Sequence, residues 1–240
     1  LNPWSVPVDG PMPQVHLLSN GRYGLLITES GAGYSAYARN SARQGEPTAI
    51  TRWRADTTRD CWGSWIYVQD RDTGALWSVA DQPCGAAADE EQVRFYPHKV
   101  EFRRRHGDVS IHTEVTVAPD EDVEIRRVTL TNHGGKPRRL RVCSYSEVVL
   151  ADQDQDRRHP AFNKMFIESA YDDDLNAMLF TRRPRSVEEE PMHAAHIVLP
   201  PADTEPTGAF EGDRKRFVGR GRSVRQPLAM LSLGGGDAGD

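Results

Sequence analysis

The segment Thr51-Arg-Trp-Arg-Ala-Asp-Thr-Thr-Arg-Asp-Cys-Trp62 holds three arginines, two aspartates and two tryptophans in twelve residues. Trp65 and Trp77 follow, so four of the five tryptophans fall within 25 positions. Indole faces stack on the apolar faces of sugar rings, and arginines pair bidentately with carboxylates or phosphates. The cluster therefore reads in two ways, as a carbohydrate or phosphate surface or as an internal clamp of Arg–Asp pairs beside tryptophans. A clamp is the more ordinary use of these residue types.

Other chemistry-bearing patterns are incomplete. Asp152-Gln-Asp-Gln-Asp156 opens like a calcium loop, but Arg157 stands where that loop needs Gly and Asn163 where it needs Glu. His193 and His196 would share a metal only on a helix, and their context reads as a strand edge with solvent-exposed imidazoles. Gly31-Ala-Gly33 lacks the third glycine and the helix of a nucleotide loop, so it predicts a turn. Arg103-Arg-Arg105 reads as a charged strand end running into a turn at Gly107. No nucleophile elbow, phosphate loop or zinc-protease motif occurs. With 35 acidic residues, some carboxylate pair is inevitable, and none stands in a recognisable glycosidase context. No cofactor or metal is expected.

The elements that position these residues are short strands. In Val109–Val117 the odd positions are Val, Ile, Thr, Val, Val and the even ones Ser, His, Glu, Thr, a period of two with one face buried. Residues 140–150 predict one longer strand. In 123–130 the apolar phase flips between Ile125 and Val128, which predicts a bulge. Turn chemistry recurs at 71–74, 106–108, 119–122, 132–137 and 172–174, the spacing of antiparallel hairpins in a sandwich. No helical period longer than two turns survives the Gly and Pro content. Residues 182–191 and 200–212 read as loops, and 234–240 as a flexible tail.

Composition bounds the rest. The 240 residues suit one large all-β domain, with 38% hydrophobic residues for a core and 27% charged residues for a soluble surface. A net charge of −5 without a Lys/Arg run argues against nucleic acid as partner. No apolar stretch approaches membrane-spanning length. Neither a signal peptide nor an initiator methionine is visible, the pattern of an excised or processed chain. Cys61, Cys84 and Cys143 are widely spaced and odd in number, which suggests free thiols in a reducing compartment.

Read as a string, the chain resembles a carbohydrate-active family. The resemblance is carried by Leu17-Leu-Ser-Asn-Gly-Arg-Tyr-Gly24, Gly31-Ala-Gly-Tyr-Ser35, Thr51-Arg-Trp-Arg-Ala-Asp56 and Ile66-Tyr-Val-Gln-Asp-Arg-Asp72. It continues through Glu124–Asn132, Ser144–Leu150, His159-Pro-Ala-Phe-Asn-Lys-Met-Phe166 and Asp213–Arg220. These stretches are similar to the N-terminal domain of the cellobiose and chitobiose phosphorylases and cyclic β-1,2-glucan synthases. That group is glycoside hydrolase family 94, once called glycosyltransferase family 36. The His159–Lys164 segment sits closer to the glucan synthase branch.

The resemblance implies an all-β fold, a large antiparallel super-β-sandwich of the galactose-mutarotase-like kind with few or no helices. It implies a domain over 17–233, incomplete at its C-terminal end, with 1–16 as an N-terminal extension and 234–240 as tail. In that family the general-acid aspartate lies on a separate α/α barrel, and inorganic phosphate attacks the anomeric carbon with inversion. This chain stops before any barrel, so no turnover is expected of it alone. The parent would be a transferase or phosphorylase acting on β-glucans. In the glucan synthase branch it would lie on the cytoplasmic side of the bacterial inner membrane.

The family's sandwich sends a loop toward the barrel's acceptor-side sugar subsites. Here that loop is Asp152 to Lys164, with Asp152, Arg158, His159, Phe162, Asn163 and Lys164 as the implied contacts. Arg52, Trp53, Arg54, Asp56 and Trp62 become a structural or barrel-facing cluster. Implied partners are a β-glucan oligosaccharide, the barrel and a second copy of the chain. Two other readings stay open. An autonomous glycan-binding module needs an exposed aromatic platform within Trp53–Trp77, and a mutarotase-like epimerase needs a paired Glu and His in a cleft. Loss of a barrel would also leave an exposed apolar patch.

Overall fold

A computed structural model describes residues 2–38, 47–56, 58, 60–187, 189–202, 204 and 209–232. The chain begins with β1 (Trp4–Val6), β2 (Val15–Ser19), β3 (Tyr23–Thr28), β4 (Gly33–Tyr37) and β5 (Thr48–Thr51). Next come β6 (Trp65–Asp70), β7 (Leu76–Ser78), β8 (Glu90–Tyr96), β9 (Lys99–His106), β10 (Val109–Val117) and β11 (Glu124–Asn132). β12 (Leu140–Tyr145) and β13 (Val148–Asp152) lead into α1 (Gln153–Arg158) and α2 (Pro160–Lys164). β14 (Ile167–Asp172), β15 (Ala177–Arg182), β16 (Met192–Ile197), α3 (Arg214–Val218) and α4 (Leu228–Ser232) complete it.

The strands form four antiparallel sheets. Two have five strands, in the orders β1-β8-β9-β10-β11 and β13-β5-β4-β3-β2. Two have three strands, β12-β6-β7 and β14-β15-β16. Leu18, Leu25 and Ile27 of the second sheet pack on Val93, Phe95, Val100, Phe102 and Val115 of the first. Ile66, Val68 and Trp77 meet Val109 and Ile111 beside them. The opposite face of β6 is closed by Phe217, Val218 and Met230 of the C-terminal helices, packed on Trp65, Tyr67 and Tyr145. Covered on both sides, β6 is buried along its whole length. Gly33 allows β4 to lie against β3: its φ is +139°, and a Cβ there would stand 1.9 Å from the Leu26 carbonyl oxygen.

All five turn clusters fall between strands, and β10 alternates buried and half-exposed as its sequence predicts for most of its length. Three expectations need correction. β11 carries no bulge, since its register against β10 is continuous from Glu124 to Asn132. The apparent phase flip arises because its inward positions are polar at one end (Glu124, Arg126) and apolar at the other (Val128, Leu130). Glu124 accepts from Ser35 Oγ at 2.5 Å and Arg126 Nε at 2.5 Å, and Arg126 Nη1 donates to the Ser64 carbonyl at 2.6 Å. A polar network inside the sandwich thus displaces Ile125 to the outer face.

The stretch 140–150 is two strands rather than one. β12 pairs with β6, β13 pairs with β5, and the chain changes sheet at Ser146–Glu147. The irregularity expected on β11 falls on β13, where register shifts between Val148 and Ala151 and Leu150 takes φ 48°. Residues 152–164 are two short helices, not a loop, with Pro160 opening the second. Within the first sixteen residues, β1 pairs with β8 and buries Val6. The 234–240 tail lies outside the described residues.

Candidate functional site

Arg52 and Arg54 project from the segment after β5 toward α1. Arg52 donates from Nε to Asp156 Oδ2 at 2.9 Å and from Nη2 to Oδ1 at 2.5 Å. Arg54 Nη2 donates to the same carboxylate at 2.5 Å and to the Asp156 carbonyl at 3.0 Å. Asp156 is 1% exposed and Arg52 6%. This is a bidentate pair inside the protein, with a second guanidinium donating a third hydrogen bond to the carboxylate.

Glu147, at the corner between β12 and β13, is the second node. It accepts from Arg52 Nη1 at 2.8 Å, Tyr145 Oη at 3.0 Å and Arg214 Nε of α3 at 2.6 Å. Lys164 Nζ of α2 stands 3.9 Å away. The Arg52 backbone N–H also donates to the Glu147 carbonyl at 2.8 Å. Four of the stretches that carry the family resemblance, around residues 52, 147, 160 and 214, therefore meet in one network. Burial pushes the Asp156 and Glu147 carboxyls up, but the surrounding cations outweigh it and hold both below the usual carboxylate range. Burial lowers the Lys164 ammonium, with Arg52 and Arg214 adding to the effect.

The implied sugar contacts fall on both sides of this anchor. Arg158, His159, Phe162 and Lys164 lie on the exposed side of α1–α2. Arg158 pairs with Asp154 at 3.3 Å. Phe162 is 44% exposed, edge-on to Phe166 at 5.1 Å, with the Arg185 guanidinium 5.2 Å over its ring. Asp152 sits at the N-cap of α1 and accepts from Gln155 Nε2 at 3.0 Å. Asn163 turns inward: it is 2% exposed, and its Nδ2 makes no hydrogen bond. The sequence reading missed Asp156, Glu147, Tyr145 and Arg214. Glu147, Tyr145 and Arg214 lie within stretches that carry the resemblance and Asp156 within the incomplete calcium loop, and that placement was their legible signal.

The aromatic cluster divides. Trp65 and Trp77 are core residues. Trp53 and Trp62 are half-buried; Trp53 stacks on Tyr34 at 5.6 Å and 16°, and Arg54 lies 6.0 Å over Trp62. Asp56 accepts locally from Thr58, while Asp60 accepts from Thr28 Oγ1 at 2.7 Å and Ser30 Oγ at 2.6 Å, tying the segment to the β3–β4 turn. Arg59 lies outside the described residues.

His193 is exposed as expected, but His196 is not: half-buried, its Nε2 lies 2.8 Å from Ser144 Oγ, because β16 packs this side inward against β12. Cys84 and Cys143 are free thiols. Of the Arg103–Arg105 run, Arg104 is buried and donates to the Ala80 and Ala86 carbonyls at 2.6 and 2.7 Å.

Glu101, His112 and Glu114 come within metal-ligand distance of one another on the outer face of the first sheet. Lys99 already fills the cation position, 2.6 Å from Glu101 and 2.7 Å from Glu114, with Arg103 and Arg127 alongside. Glu101 and His112, 3.6 Å apart, are also a Glu–His pair of the kind an epimerase needs. Burial raises the Glu101 carboxyl, but Lys99 more than offsets it and holds the group low, which makes it a weak base.

Exposed apolar side chains are spread over several places, among them Val15 and Leu17 on β2, Val123 and Ile125 at the start of β11, Phe162 and Met165 at α2, and Ile197 to Leu199 at the end of β16. Among the described residues no helix is long and apolar enough to cross a membrane, which leaves β-barrel spans unaddressed.

The chain is 36% identical over 214 residues to the cyclic beta-(1,2)-glucan synthase NdvB of Rhizobium meliloti (strain 1021), an alignment covering 89% of this chain and 7% of that protein. It is 26% identical over 230 residues to the N,N'-diacetylchitobiose phosphorylase of Vibrio proteolyticus, covering 92% of this chain and 26% of the relative. Identity to the solabiose phosphorylase of Paenibacillus borealis is 24% over 222 residues, covering 92% and 27%. The chain thus spans about a quarter or less of the length of these relatives. Residues 6–238 match the family described as glycosyl hydrolase 94, supersandwich domain, and with antiparallel sheets and four short helices among its described residues the chain belongs to that family.

Proposed function

We propose that this chain is the non-catalytic sandwich of a β-glucan-processing transferase or phosphorylase, and that α1–α2 borders the sugar acceptor subsites. The parent would act on the cytoplasmic side of a bacterial inner membrane, with an α/α barrel supplying the general acid. One observation carries the reading: Arg52 and Arg54 bind Asp156 of α1, while Glu147, itself held by Arg52 and Arg214, faces Lys164 of α2. Helices of five or six residues do not hold themselves in water. A buried network that fixes such a pair, while leaving Arg158, His159, Phe162 and Lys164 outward, suits a surface whose outward geometry matters.

The test is calorimetric titration of the chain with β-1,2-gluco-oligosaccharides, with cello-oligosaccharides as control. Weak binding that His159→Ala and Phe162→Ala reduce, with no sugar phosphate released in phosphate buffer, is the expected result. Release of product would overturn the non-catalytic assignment. Binding indifferent to both substitutions would remove α1–α2 from the sugar surface.

A further inference from the structure

The outer face of the β13-β5-β4-β3-β2 sheet carries a row of apolar and aromatic side chains. Leu17 of β2 stands opposite Leu26 of β3, and Leu26 opposite Tyr34 of β4. Their neighbours Leu18, Leu25 and Ser35 point into the sandwich, so the period of two puts Leu17, Leu26 and Tyr34 together on the outside. Trp53 continues the row: its ring and that of Tyr34 stack on each other, so each offers its outer face, and the Trp62 ring beneath Arg54 lies beyond it. Leu17 is 65% exposed, and Leu26, Tyr34, Trp53 and Trp62 are each half-buried. Two strand spacings and the Tyr34–Trp53 stack give a row about 15 Å long.

We infer that this row is a sugar-binding platform for a gluco-oligosaccharide, with Tyr34 and Trp53 as its stacking centre. An aromatic face carries partial negative charge, and the axial C–H groups of a β-linked glucose ring carry partial positive charge, so the two attract as they leave water. Leucines extend the apolar floor without demanding hydrogen bonds. At the far end Arg54 is fixed by Asp156, with its guanidinium held over Trp62. The same Arg54–Asp156 bond joins the platform to α1, so a chain lying on Tyr34 and Trp53 continues toward the α1–α2 face. The inference rests on reading the chain as a glucan-processing sandwich. It differs in one respect: every platform residue belongs to this chain, so binding here needs no barrel.

The experiment titrates the 240-residue chain with β-1,2- and β-1,4-gluco-oligosaccharides, followed by calorimetry and tryptophan fluorescence. Binding accompanied by a fluorescence change is expected. Tyr34→Ala should weaken it about tenfold, the loss of roughly one stacking contact. Trp53→Phe keeps a ring and the fold, and should retain most of the affinity while abolishing most of the fluorescence change. Phe162→Ala separates the two surfaces. If Phe162→Ala abolishes binding and Tyr34→Ala does not, the platform is overturned while the α1–α2 reading stands; loss in Tyr34→Ala alone, or in both, supports the platform. Absence of any binding at millimolar oligosaccharide overturns it. So would sedimentation showing a dimer that Leu17→Asp and Tyr34→Ala dissociate, because the row would then be an interface between copies.

Discussion

Replacing Asp156 with alanine removes the acceptor of three side-chain hydrogen bonds and leaves two guanidinium groups facing a void. Arg54 is only partly covered, but Arg52 is 6% exposed and keeps Glu147 alone as counter-charge. Breaking a buried pair by deleting one partner costs about 3–5 kcal/mol, since the remaining charge stays out of water. For a chain of this size that lowers the melting temperature by roughly 10 °C and the urea midpoint by about 1–2 M at unchanged slope. Arg52→Ala alone should cost less, because Asp156 keeps Arg54 and Glu147 keeps Arg214. Arg52→Ala/Asp156→Ala should then be less destabilised than the sum of the single variants by more than about 1 kcal/mol. Urea denaturation of the four proteins gives the coupling directly. Trypsin supplies a local readout, since unfolding of α1 frees the backbone at the already exposed Arg157 and Arg158 to extend into the protease cleft. Additivity within about 0.5 kcal/mol, together with unchanged nicking, would refute the claim that this pair fastens α1–α2.

The same carboxylates make the chain acid-sensitive. Asp156 and Glu147 are held low in the folded state, so their stabilisation is complete above the ordinary carboxylate range near about pH 4 and is lost as pH falls through their folded values. Asp156→Asn should flatten urea stability measured against pH in that window. His106 acts at higher pH: burial, reinforced by Arg104, lowers its imidazole from 6.5 to about 4. The unfolded chain therefore binds the extra proton first, and stability falls as pH drops from 6.5 toward 4; His106→Asn should remove that slope. Burial raises the Cys84 and Cys143 thiols to about 11, so both should resist a thiol reagent at pH 8 and react once urea unfolds the chain. Gly33→Ala should destabilise by several kcal/mol, about the effect of forcing a side chain into the neighbouring backbone, and a normal melting temperature would contradict the β3–β4 geometry.

Local pattern was enough to read the sandwich. Strand β10, the five turn clusters and the motif order from Leu17 to Arg220 are properties of neighbouring residues, and each survives in the structure. Where neighbours cannot decide, local reading failed. Ile125 looked like a core position because its partner surface was unknown, and only the Ser35–Glu124–Arg126 network shows why the inward position there is polar. The 140–150 stretch looked like one strand because a change of sheet is set by the pairing partner, not by the strand itself. Asp156 was weighed as part of a poor calcium loop, while its true partner lies 104 residues earlier. A sequence declares its own period, turns and charges. Which carboxylate meets which guanidinium is decided by closure of the chain, because burial makes one pairing strong and leaves the rest in water.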